Sequence, residues 1–160
     1  MKVKEIVLNE SMEFSAGHKD KKDGYWSSDT DPGSRYGADF YKNIDKYTDS
    51  NTEPPLNPKF DPDLNLTLAN ANMYEVMSEL GYDPDIEAPI DEFIGKTTHW
   101  LKQHIGKLSA EEPSTTEKGS QGATMISGGK REGYFNEIIM AMNKIARIGK
   151  QRGATHVWGA

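Results

Sequence analysis

NLTLANANMYEVMSELGYDPDIEAPIDEFIGKTTHWLKQHIGKL, residues 65–108, is the stretch whose reading decides the fold. It reads as two capped amphipathic helices joined by Gly81-Tyr82-Asp83-Pro84-Asp85. Asn72 stands as an N-cap with Glu75 three residues on, the spacing of a capping box. Met73, Val76, Met77 and Leu80 form one apolar stripe, and Gly81 can adopt the left-handed backbone that ends a helix. Pro89 suits the first turn of the next helix. Periodicity carries that helix to about Leu108, with Ile90, Phe93, Ile94, Trp100, Leu101, Ile105 and Leu108 on its apolar arc.

Beyond this pair, a polar loop from Ser109 to Gly129 leads to another helix over about Gly133 to Arg152. Tyr134, Ile138, Ala141, Met142, Ile145 and Ile148 are expected to face inward, and Lys144, Arg147 and Lys150 outward. Gly153 stops the helix, and His156-Val157-Trp158 fits a terminal strand or a docked tail. Toward the N-terminus, residues 11–63 are rich in Gly, Asp, Asn, Ser and Pro and read as irregular. One short helix is expected there, with Phe40, Ile44 and Tyr47 at i, i+4, i+7. Residues 3–8 fit a helix turn or a short strand equally well.

At 160 residues the chain is expected to form one domain, with 11–63 wrapping over a helical core at 65–160. No apolar run approaches the roughly 20 residues that span a bilayer. The absence of cysteine excludes disulfides, thiol nucleophiles and thiolate metal sites, and fits a reducing cytosol or a particle assembled in one. Residues 1–95 hold 9 Lys/Arg against 20 Asp/Glu, and residues 96–160 hold 10 against 5, so −11 faces +5. Such halves can attract each other within one fold or between subunits. The acidic balance argues against nucleic acid as a partner.

The candidate chemistries fail on spacing. Gly95-Lys96-Thr97 resembles the end of a phosphate loop, but Ile90 stands where the first glycine is required, and the tripeptide lies inside a helix. In Gly128-Gly129-Lys130 the same comparison finds Thr124 and then Arg131 in the wrong places. His99 and His104 lie about 140° apart on a helical wheel and cannot share one ion from a regular helix. Counting a calcium loop from Asp29 puts Ser34 and Phe40 at the positions that need Gly and Glu. Counting from Asp61 puts Leu66 and Asn72 there. Asp31-Pro32-Gly33 and Asp61-Pro62-Asp63 therefore read as turns and caps. No catalytic, cofactor-binding or metal-binding residue is assigned, and the chain is not read as an enzyme.

Eight aromatics, Phe14, Tyr25, Trp26, Tyr36, Phe40, Tyr41, Tyr47 and Phe60, crowd into residues 11–63. Their burial alone returns less than the entropy cost of ordering that many residues. An ordered segment must then lean on the helices or on a neighbouring subunit. Tyr and Trp are common interface anchors, so Tyr25, Trp26, Phe40 and Tyr41 are the candidate partner-binding residues, in a protein contact or self-association.

Residues 65–85, Ile90-Asp-Glu-Phe-Ile-Gly-Lys-Thr-Thr-His-Trp100 and Ala146-Arg-Ile-Gly-Lys-Gln-Arg-Gly-Ala-Thr-His-Val-Trp158 resemble small uncharacterised proteins of T4-like marine tailed phages. The resemblance covers residues 65–158 and implies a viral setting, virion or host cytoplasm, without catalytic residues. Residues 1–11 are similar to the head-targeting leaders of T4-like internal proteins, with Leu8-Asn9-Glu10 as the cleavage motif.

The expected fold is mainly α, three to four packed helices with a long irregular N-terminal segment. The alternative is α+β, with residues 3–8 pairing with residues 154–158. The expected function is a phage structural or assembly protein acting through protein–protein contacts. The alternative is a small intracellular phage effector that binds a host protein or nucleic acid through Lys144, Arg147 and Lys150.

Overall fold

Met12, Phe14 and Ala16 alternate with Glu13, Ser15 and Gly17, and this period of two makes Ser11–Lys19 a strand, β1. The structure, a computed structural model, describes residues 11–24, 26–48, 53–82, 87–113, 115–118, 124–127 and 130–160. β1 is the central strand of a five-stranded antiparallel sheet. One edge carries β2 (Trp26–Ser28) opposite Gly17–Lys19 and β3 (Thr67–Ala69) opposite Ser11–Glu13. The other edge carries the last strand of the chain, His156–Gly159, opposite Phe14–Gly17, and beyond it β4 (Ala88–Pro89).

The helices are α1 (Ala38–Lys42), α2 (Ile44–Thr48), α3 (Asn70–Glu79), α4 (Ile90–Gln103) and α5 (Tyr134–Gln151). A hairpin of β5 (Thr115–Lys118) and β6 (Thr124–Ser127) precedes α5, and the terminal strand is β7. Helices α3, α4 and α5 cover one face of the sheet. The rings of Phe14 and Phe93 lie 5.3 Å apart. A Cβ on Gly159 would stand 3.2 Å from Met73, and one on Gly149 2.5 Å from the Ala16 Cβ. The core between the layers holds Phe14, Val76, Met77, Phe93, Ile139, Met142, Ile145 and Val157, all fully buried.

The sheet overturns the expectation of a mainly α fold: the chain is α+β. The reason is local. Residues 11–19 belong to the segment read as irregular, yet their inward residues face the helices and supply the central strand. The alternative had the class, but it paired the C-terminal strand with residues 3–8, which lie outside the described residues. The partner of β7 observed is β1. The leader motif at residues 8–10 and residues 83–85 of the expected turn at 81–85 also lie outside the described residues.

Helix boundaries differ from expectation in two places. α3 starts at Asn70, so Asn72 sits in its first turn rather than at the cap, bonded to the Tyr134 side chain. Glu75 turns to the Lys130 ammonium instead of closing a capping box. α4 ends at Gln103, because Gly106 turns the chain at φ +69°. His104 closes that end, its ring stacked 3.7 Å over Trp100 and its Nδ1 2.7 Å from the Trp100 carbonyl oxygen. Ile105 and Leu108 consequently leave the apolar arc and face solvent. The expected short helix around Ile44 is two single turns, interrupted at Asn43.

Candidate protein-interaction surface

Residues 34–48 and 53–57 form a lobe closed at its base. The Asn57 amide donates to the Arg35 carbonyl at 2.9 Å, and the Asn57 side-chain amide to the Ser34 carbonyl at 3.0 Å. Tyr36 and Leu56 bridge the two legs, and the Asp61 amide bonds the Pro32 carbonyl just below. Inside the lobe Asn43 donates its side-chain amide to the Asp39 carboxylate and carbonyl, which separates α1 from α2.

Phe40 is the hub. Its ring centre lies 4.5 Å from Tyr36, 5.1 Å from Tyr41 and 5.6 Å from Tyr47. The Tyr41 hydroxyl shares a 3.0 Å hydrogen bond with Ser34, and Arg35 and Lys46 lie over the rings of Tyr36 and Tyr47. The cluster packs on itself rather than on the core, since neither α1 nor α2 has a buried residue. Tyr41 is 58% exposed, Leu56 56% and Ile44 47%. A contiguous set of exposed apolar side chains marks a contact surface more than a scattered one does.

Of the four expected anchors, the structure brings Phe40 and Tyr41 together in this lobe. Trp26 is elsewhere, on the open face of the sheet, half-buried against Trp158 (5.2 Å) and His156 (4.9 Å). Tyr25 lies outside the described residues. Leu56 belongs to the surface but was not among the expected anchors, because one apolar residue after Pro54-Pro55 carries no period.

Other clusters have local duties. A groove of about 530 Å³ lies between α3 and α4, lined by Glu79, Gly81, Gly95, Lys96, His99 and Trp100. Its charged groups are engaged: Trp100 Nε1 donates to Glu79 at 2.9 Å, while Lys96 pairs with Glu92 and lies 4.1 Å over the Tyr82 ring. Burial, and then the Glu92 charge, push the Tyr82 phenol far up. A second cavity, about 240 Å³, opens on the other face of the sheet beside Glu13, Ser15, Ser28 and Asp31. Burial, with the Asp31 charge, raises the Glu13 carboxyl above the usual range. Among the described residues no group of three or more His, Asp or Glu is placed to hold a metal ion.

Lys130 is buried between Glu75 and Glu112. Burial works against its charge, but hydrogen bonds to Glu75 and Glu112, and their charges, outweigh it and hold the ammonium above the usual range. With the paired backbone bonds of Glu112 and Lys130, 2.7 Å each, this clamp ties the base of the β5–β6 hairpin to α3. Gly128 and Gly129 lie outside the described residues.

The three outward cations of α5 also have partners. Lys144 pairs with Asp63 at 2.8 Å, Lys150 pairs with Asp91, and Arg147 donates to Thr98 at 3.0 Å and Asn143 at 2.8 Å. Two of the three thus neutralise carboxylates of the acidic half. No helix of the described residues is long and apolar enough to cross a membrane. Family models, curated proteins and solved structures yield no match to the chain.

Proposed function

We propose that the protein is a structural or assembly component of a tailed phage and works by protein–protein contact through the lobe at residues 34–48 and 53–57. The observation that carries the docking role is the lobe itself. It spends two helical turns and six aromatic or aliphatic side chains, Tyr36, Phe40, Tyr41, Ile44, Tyr47 and Leu56, on a surface that buries nothing against its own core. The viral setting rests on the resemblance of residues 65–158. The effector reading that uses Lys144, Arg147 and Lys150 as a nucleic-acid face is not carried forward, because those groups bond within the fold.

Mass spectrometry of purified virions and of assembly intermediates tests the reading, comparing wild type with a Tyr41→Ser, Ile44→Ser double variant. Both substitutions are at exposed positions, so the fold should survive, which circular dichroism checks. The wild-type chain is expected in particles or intermediates at a stoichiometric level, and the variant depleted from them. A wild-type chain found only in the soluble fraction of infected cells would overturn the assignment.

A further inference from the structure

The cavity of about 240 Å³ on the open face of the sheet is lined by Glu13, Ser15, Ser28, Asp31 and Ala160. The strand period places the first two. Glu13 and Ser15 alternate with the inward Phe14, so both side chains leave β1 on the open face. Ser28 ends β2 opposite Gly17 of that face, and Asp31 follows three residues on. Asp31 Oδ1 accepts from the Gly33 amide at 2.7 Å, and Oδ2 has no hydrogen bond among the described residues. Neither Glu13 nor Asp31 makes a salt bridge among the described residues. Two neighbouring carboxylates without a cation disfavour each other's charge, and burial and the Asp31 charge both raise the Glu13 carboxyl. Ser15 is an independent sign. It is only 7% exposed and lines the cavity, yet its hydroxyl makes no hydrogen bond among the described residues. A buried hydroxyl is ordinarily bonded, so this one is left aimed at whatever the cavity holds.

We propose that this cavity binds a hard divalent cation of the calcium class. The carboxylates of Glu13 and Asp31 and the hydroxyls of Ser15 and Ser28 hold it, and water completes the shell. The Ser28 hydroxyl, which accepts from the Thr30 amide at 3.2 Å, keeps a lone pair for this. All the donors are oxygens, and they come from β1, β2 and the loop after it. Calcium accepts such an irregular set of about 6–8 oxygens, whereas magnesium demands a strict octahedron. Two carboxylates rather than three make the site weak, with a Kd of roughly 0.1–1 mM. The ion ties β1 to the chain entering the lobe, because Asp31 adjoins Pro32, whose carbonyl takes the Asp61 amide at the lobe's base.

Titration of the full chain with calcium chloride in metal-stripped neutral buffer tests the proposal, by calorimetry and by thermal melting. The wild-type chain should melt roughly 3–10 °C higher in about 10 mM calcium than in EGTA. Glu13→Gln and Asp31→Asn should each weaken binding at least about tenfold, since ligand charge sets affinity. In EGTA both variants should melt at or above wild type, because the repulsion between the carboxylates is gone, so a lost response is not a lost fold. Ser15→Ala breaks no hydrogen bond, so it should melt no lower than wild type in EGTA and still bind calcium severalfold more weakly. Terbium, a luminescent stand-in for calcium, gives a local readout. Trp158 stands opposite Ser15 in the β1–β7 register, so indole excitation should light bound terbium, and calcium should displace it. The absence of any heat or melting response up to about 10 mM calcium overturns the inference. So does a response that Glu13→Gln and Asp31→Asn leave intact, which would place the ion elsewhere on the acidic surface, or one that Ser15→Ala leaves unchanged.

Discussion

Thr30 does the work of a missing strand residue. β2 and β3 share one edge of β1, and Ala16 lies in the gap between them. The Thr30 hydroxyl fills that gap: it accepts from the Ala16 amide at 2.9 Å and donates to the Ala16 carbonyl at 3.3 Å, fully buried. Thr30→Val keeps the shape and removes both bonds. It should cost about 1–3 kcal/mol in urea denaturation, the usual penalty for an orphaned buried group. Thr30→Ser should cost less. Glu13 makes the opposite case. Its folded pKa is raised, so the native state binds more protons than the unfolded chain, and stability falls as pH rises through the folded pKa. Glu13→Gln should therefore melt higher than wild type at pH 7, with the gap closing as the pH drops below about 4, where the unfolded carboxyl is protonated too.

Among the elements, two helix-interior glycines with different surroundings separate packing from propensity. Gly149 brings α5 close to β1: an added Cβ would meet Ala16 Cβ at 2.5 Å, and Ala154 and Thr30 at 3.3 Å. Gly95 in α4 has nothing within 4 Å. Alanine gains about 1 kcal/mol over glycine in an exposed helix interior. Gly95→Ala should thus stabilise by roughly 0.5–1 kcal/mol, while Gly149→Ala should destabilise by about 1–3 kcal/mol as helix and sheet are forced apart. Thermal melts of the pair check both signs. The same elements show what the sequence made legible. The bounds of α5 were readable, since its 18 residues sustain one period and Gly153 follows, but its buried face adds Ile139, Ala146 and Gly149 to Met142 and Ile145, while the expected Ile138, Ala141 and Ile148 are only half-buried. α4 was readable except at its end, where apolar Ile105 and Leu108 extend the periodic pattern past Gly106. β1 carries a genuine alternation in Met12, Phe14 and Ala16. Ser15, Ala16 and Gly17 dilute it because they have little strand preference. They are small for a tertiary reason: a Cβ on Gly17 would collide with the Ser27 carbonyl at 2.0 Å and Trp158 at 2.6 Å. No window of local sequence contains those neighbours.

For the whole molecule, the distribution of burial sets how firmly each part is held. The sheet and α3, α4 and α5 share one core, joined across the charge divide by Lys130 to Glu75, Lys144 to Asp63 and Lys150 to Asp91. The lobe stands outside it, fastened at its base by a few backbone bonds and by the packing of Phe40 on three tyrosines. The aromatics of residues 11–63 do not act as one set, and their division was not legible in the sequence. Phe14 is buried in the core, Trp26 caps the open face of the sheet, and the lobe keeps Tyr36, Phe40, Tyr41 and Tyr47. Protection against exchange follows contiguous buried units. In dilute protein, the amides of β1, β7, α4 and α5 should exchange slowest and together. Those of Phe40, Asn43 and Lys46, whose hydrogen bonds lie in single exposed turns, should exchange orders of magnitude faster. Hydrogen–deuterium exchange with peptide mapping measures this. A lobe as protected as β1 at the lowest concentration would mean that it is held by its own chain, and the physical case for its role as a docking surface would fall.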